Sequence, residues 1–192
     1  MTKAVLIIVL SCLSFAFVKE RGPVRFFLPG ESNIYPDSFA IYWTCPNKAW
    51  VETHGQPEVH IRFMNIYGDE LFRTPTVKDS IVTFPFNHFN ERTLIVSSTT
   101  ATPKTSDYDS YGLRILTKRP AIEEMKVVLS FDPSVANYRN LARVYEKERC
   151  FVNAIFLYRQ MIKMDPEAIR DWQAFKERNQ KKFSRPEAPI KK

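Results

Sequence analysis

Residues 137–166 read NYRNLARVYEKERCFVNAIFLYRQMIKMDP. Tyr138, Leu141, Ala142 and Tyr145 fall at i, i+3, i+4 and i+7, which is one face of an α-helix. After KERC the pattern resumes with Phe151, Ala154, Ile155, Tyr158, Met161 and Ile162. Two amphipathic helices joined by a short turn are expected. Phe156 and Leu157 lie off the second stripe. They need another apolar neighbour, so the helical part is expected to dock on the rest of the chain or on a partner.

Working outward, Asp165 and Pro166 restart the chain as cap and first helical residue, and EAIRDWQAFKERNQ then offers Ala168, Trp172 and Phe175. On the other side Asp132 and Pro133 are expected to play the same two roles. Before them AIEEMKVVL, opened by Pro120, places Ile122, Met125 and Leu129 on one stripe. The two Asp-Pro pairs stand 33 residues apart, a spacing that invites comparison with helical repeats. The segment resembles a tetratricopeptide repeat. Tyr138, the Leu141–Ala142 pair, Tyr145, Ala154, Tyr158 and Pro166 stand at that family's spacing, with half a repeat before and a further helix after. Met161 departs from the pattern, where the family carries a small residue, and no glycine marks the turn. The resemblance implies a groove lined by the first helix of each pair. It makes Arg139, Arg143 and Glu146 the candidate partner-binding residues, with Arg139 and Arg143 spaced to grip a carboxylate or an acidic peptide.

Upstream of Lys118 the hydrophobic period changes from 3.6 to two. Seven short runs read as strands: VRFFL, FAIYW, EVHIRFMNI, LFRT, DSIVTFPF, RTLIVSS and YGLRIL. Phe39, Ile41 and Trp43 share a face, as do Val59, Ile61 and Phe63, and Tyr111, Leu113 and Ile115. PGESNIYPDS and TCPNKAWVETHGQP read as turn and loop, and TTATPKTSDYDS as a long polar loop. Short strands with regular turn signals argue for an antiparallel β-sandwich. FAIYWTCP and DSIVTFPFNHFNERTLIVSS resemble the second, fifth and sixth strands of fibronectin type III domains. The expected organisation is a fibronectin- or immunoglobulin-like sandwich over 21–117, a tetratricopeptide-like helical domain over 120–181 and a basic flexible tail over 182–192.

The first residues read as an export signal. Lys3 precedes the apolar AVLIIVLSCLSF, and SFA places a cleavage site after Ala16, which gives a signal peptide over 1–16. Two alternatives stay open: lipidation at Cys12, and an uncleaved anchor. Either route places the protein in the periplasm or cell envelope, or outside the cell. Cys45 and Cys150 then remain, to pair or to stand as separate buried thiols. The net charge of +7 is spread along the chain, with a local excess in the tail, so it argues for a solvated surface and not for nucleic acid.

No motif carries catalysis. His54, His60 and His88 lack metal-ligand spacing, and five glycines leave no phosphate loop. Glu123 and Glu124 are adjacent and point apart on a helix. No cofactor or metal is expected. The expectation is an exported, non-enzymatic adaptor or subunit that binds a protein through its helical face. The alternative is a carbohydrate- or surface-polymer-binding sandwich using loop residues Trp50 and Tyr108.

Overall fold

The computed structural model describes residues 24–27, 32–45, 48–86, 89–102 and 110–183. Residues 1–16, where a signal peptide and Cys12 lipidation are expected, His88, Tyr108 and the residues beyond 183 lie outside the described residues. Strands fill the first part of the chain and helices the last. The strands are β1 (Arg25–Phe26), β2 (Ser32–Ile34), β3 (Phe39–Thr44), β4 (Glu58–Met64), β5 (Glu70–Arg73), β6 (Ile81–Phe84), β7 (Thr93–Thr102) and β8 (Ser110–Ile115). The helices are α1 (Lys48–His54), α2 (Pro120–Phe131), α3 (Val135–Lys147), α4 (Phe151–Met164) and α5 (Ile169–Phe183), the last preceded by a 3₁₀ turn over Pro166–Ala168.

Two sheets face each other, one of three strands ordered β1-β3-β6 and one of five ordered β2-β8-β7-β4-β5. Their inner faces are the residues that the alternation singles out. Phe39, Ile41 and Trp43 from β3 meet Val59, Ile61 and Phe63 from β4, all but excluded from solvent. Phe39 and Phe63 lie edge to face with centroids 5.8 Å apart, and Phe84 joins both. Contacts of this kind add about 0.5–1.5 kcal/mol per pair to the burial of the rings themselves.

Two segments read as turn or loop are ordered elements. The stretch 44–57 contains α1, which Gly55 ends by adopting φ +78 and donating its N–H to the Val51 carbonyl. The flanking Pro46 and Gly55 hid a helix-competent KAWVETH between them. The stretch 29–38 contains β2, and β2 pairs parallel with β8, so the sheet is antiparallel everywhere except at this edge. A three-residue strand with one apolar side chain has no periodic signal. Its place is set from outside, where Asn33 donates its N–H to Arg149 O and its side-chain amide to Glu148 O across the α3–α4 turn.

The helices form a third layer against the three-stranded sheet. β3 is therefore buried on both faces: Ala40 and Tyr42, which alternation assigns to solvent, enter the helical core with Tyr35, Ile81 and Leu116. Tyr42 packs edge to face on Trp172 of α5 at 5.2 Å and on Phe27 at 5.4 Å. Helix α4 sits between the sheet and the other helices and is buried nearly all round, Leu157 included, with Phe156 half-buried. The off-stripe residues thus pack within the chain itself.

The helix caps differ in one respect from expectation. Ser134, not Asp132, caps α3, accepting the Asn137 N–H, while the Asp132 carboxylate accepts from Ser134 Oγ and Asn137 Nδ2. Asp165 does cap its turn, accepting from the Glu167 N–H. The α3–α4 turn lacks glycine, and Arg149 adopts the left-handed conformation in its place (φ 61).

Candidate functional site

The site is built from α3 and α5, which run side by side in the same direction. Arg139 and Glu146 of α3 are seven residues apart, two helical turns on one face, and Asp171 and Arg178 of α5 have the same spacing. Each pair meets its counterpart. Arg139 donates from Nε and one Nη to the two carboxylate oxygens of Asp171, at 2.9 and 2.8 Å. This two-pronged contact fixes both side chains and raises the Arg139 pKa. Glu146 accepts from Arg178 at 2.9 Å, from the Tyr158 hydroxyl of α4 at 2.6 Å and from Asn179 at 3.4 Å. Burial first, and then the bond to Glu146, push the Tyr158 hydroxyl far above the usual tyrosine range, so it stays a proton donor at any ordinary pH.

Arg143 lies between these two clusters on the same face of α3 and is exposed. The three residues that the sequence picks out are therefore together, but in different states. Arg139 and Glu146 are engaged within the helical layer, and Arg143 presents its guanidinium to solvent. With Arg178 half-exposed, the face holds three guanidinium groups against two carboxylates. The missed partners Asp171 and Arg178 each lie 32 residues beyond the residue they bind. The 33-residue Asp-Pro spacing steps from Arg139 and Glu146 to the adjacent Trp172 and Asn179, so it points to the right turns of α5 but not to the two partner residues.

A second polar cluster joins the end of the sandwich to the helices. Asp37, between β2 and β3, accepts from the Tyr145 hydroxyl of α3 at 2.7 Å and from Lys126 of α2 at 2.9 Å. Tyr35 donates its hydroxyl to Glu123 of α2, and the Lys126 ammonium lies 5.6 Å from the Tyr35 ring centroid. Burial chiefly, then the Asp37 carboxylate, push Tyr145 well above its ordinary pKa. Beneath this cluster the fully buried Asn153 of α4 accepts from Tyr35 N at 2.9 Å and donates to Tyr35 O at 3.1 Å and Ser38 O at 3.3 Å. Every member has its partner inside the molecule, so the cluster works as a clasp.

Cys45 and Cys150 form no disulfide with each other. Burial, with a smaller contribution from Glu148, pushes the Cys150 thiol up to about 12, which makes it unreactive. His60 is tied to the Thr74 carbonyl at 3.1 Å, and His54 ends α1. Among the described residues no three of His, Cys, Asp and Glu group as metal ligands would. An open cleft of about 410 Å³ lies between the β5–β6 connection and Arg159 of α4, which donates to Ile81 O at 2.6 Å. Its lining offers Lys78, already paired with Glu58 at 2.8 Å, and Asp79, but no nucleophile beside a base. Among the described residues no helix is long and apolar enough to cross a membrane.

No protein-family model matches the chain, the tetratricopeptide and fibronectin type III families included, and no curated protein matches it as a relative.

Proposed function

We propose that the chain is an exported, non-enzymatic interaction protein, an adaptor or subunit of a cell envelope, that binds a protein partner on the outward face of α3 and α5. On this reading the sandwich is fibronectin-like and α3 and α4 form a tetratricopeptide-like repeat, with α2 as the half-repeat before it and α5 as the further helix after it. The observation that carries it is the state of Arg143. It is an exposed guanidinium between two clusters whose charges are already ordered, Arg139–Asp171 on one side and Glu146–Arg178 on the other. An ordered surface loses little conformational entropy on binding, and a fork-shaped donor suits a carboxylate. The partner chemistry that follows is an acidic side chain or chain terminus in an extended or helical segment. Export rests on the N-terminal segment 1–16, and the absence of catalysis on the lack of a nucleophile, base or metal constellation in the sequence.

The test is affinity capture from native envelope extract with the full chain, beside Arg143→Glu. Arg139→Ala is the poorer choice, because it also strips Asp171 of its partner. A stoichiometric protein partner that is recovered by the natural chain and lost with Arg143→Glu supports the reading. A partner retained by Arg143→Glu removes this face, and recovery of no protein removes the adaptor function.

A further inference from the structure

Eight large apolar side chains stand exposed among the described residues, and they fall into two groups. Ile66, Tyr67 and Leu71 belong to the β4–β5 hairpin. The other five, Val127, Val128 and Phe131 of α2, Met164 at the end of α4 and Ile169 at the start of α5, lie in the helical layer. Their positions follow from the helix directions. The bonds from Glu123 and Lys126 of α2, and from Tyr145 of α3, converge on Tyr35 and Asp37, so the start of α2 meets the end of α3. The short α3–α4 turn reverses the chain again, and the Arg139–Asp171 and Glu146–Arg178 pairs set α5 parallel to α3. The end of α2, the start of α3, the end of α4 and the start of α5 therefore share one end of the layer, away from the clasp. All five exposed residues sit there or on the last turns leading to it.

We infer that this end is a self-association surface, and that its occupant is the same end of a second copy of this chain. Phe131 is 85% exposed and Val127 56%. Together the five side chains offer roughly 400–500 Å² of apolar surface, which matches the apolar share, a little over half, of a standard interface of about 800 Å² per partner. The charge pattern fits as well. The chain as a whole carries +7 and repels itself. This end sets Asp132, Asp165 and Glu167 against Lys163 and Arg170, so two copies approach here without that penalty, with acids of one facing bases of the other. The contact closes on itself. The outer side of α5 beyond this end shows Gln173 and Glu177 to solvent, a polar wall on which the apolar α2 of a neighbour cannot stack, so open-ended stacking is disfavoured and a two-fold pair is favoured.

Sedimentation velocity of the full chain over a concentration series tests this, with Phe131→Glu, Val128→Lys and the hairpin variant Tyr67→Ser alongside. The natural chain and Tyr67→Ser are expected to sediment as a pair. Phe131→Glu and Val128→Lys are expected to sediment as single chains, at least tenfold weaker in association. Their circular dichroism and melting should match the natural chain, since both side chains face solvent within one copy. A natural chain that is single up to about 100 μM, too weak to pair at cellular concentrations, overturns the inference. So does a pair that survives both α2 variants, or one that Tyr67→Ser dissolves.

Discussion

Asn153 is the residue whose loss should separate the helices from the sandwich. It is a polar side chain, fully excluded from solvent, in the first turn of a helix whose buried face is otherwise apolar and aromatic. Its amide satisfies three backbone groups of the β2–β3 connection: Tyr35 N, Tyr35 O and Ser38 O. In Asn153→Ala the Tyr35 carbonyl keeps one donor, the Asp37 N–H at 2.7 Å, whereas the Tyr35 N–H and the Ser38 carbonyl lose the Asn153 amide. Each buried group left unmade costs about 1–3 kcal/mol. The substitution should therefore destabilise by about 2–5 kcal/mol, a large part of the roughly 5–15 kcal/mol that holds an ordinary domain together. With a urea dependence of about 1–3 kcal/mol per molar, the unfolding midpoint should fall by roughly 1–2 M. The assay is urea unfolding followed by tryptophan fluorescence, which sees Trp43 in the sandwich core and Trp172 in the helical layer, and by far-UV circular dichroism, which is dominated by the helices. For the natural chain the two signals should coincide, because one helix is shared by both cores. A midpoint shift of less than about 0.3 M would refute the accounting of orphaned groups. Separate transitions in the natural chain would refute the joined core.

Two further outcomes follow. Arg149 occupies a left-handed position (φ 61) that glycine alone adopts without a Cβ penalty, so Arg149→Gly should be more stable than Arg149→Ala, which gives up the same side chain, by about 1 kcal/mol in the same urea assay. Stability should also fall in alkali. Cys150 is raised from 9.0 to about 12 and Tyr145 and Tyr158 are raised from 10.0, so below about pH 9 all are protonated in both states and their contribution is intact. Above that the unfolded chain loses protons that the folded chain keeps, and stability drops by about 1.4 kcal/mol per pH unit for each group in that window. Cys150→Ala should move the onset from near pH 9 to near pH 10, read from melting temperatures across a pH series.

The periodic parts of the chain were legible because burial on one face leaves a mark at every second or every third to fourth position. This holds for Phe39–Ile41–Trp43 and for Leu141–Ala142–Tyr145. What escaped was set by contacts distant in sequence. Ala40 and Tyr42 look like the solvent side of a strand until α4 and α5 arrive more than a hundred residues later. β2 exists because Asn33 and Ile34 are held by the α3–α4 turn and by β8. Asn153 reads as one polar residue in a helix, and nothing local says that it closes three backbone bonds. At the site, Arg139, Arg143 and Glu146 stand at i, i+4 and i+7, a spacing that puts them along one face of α3. That two of the three are engaged within the fold required their partners one repeat away.

The most direct test of the account is a footprint of Arg143. An arginine-specific dicarbonyl reagent, read by mass spectrometry, would be applied to the purified chain and to the chain in native envelope extract. Arg143 should be modified in the purified chain and protected in the extract, while Arg139, held by Asp171, reacts slowly in both. Equal modification of Arg143 in both conditions, with protection appearing on the sandwich instead, would contradict it.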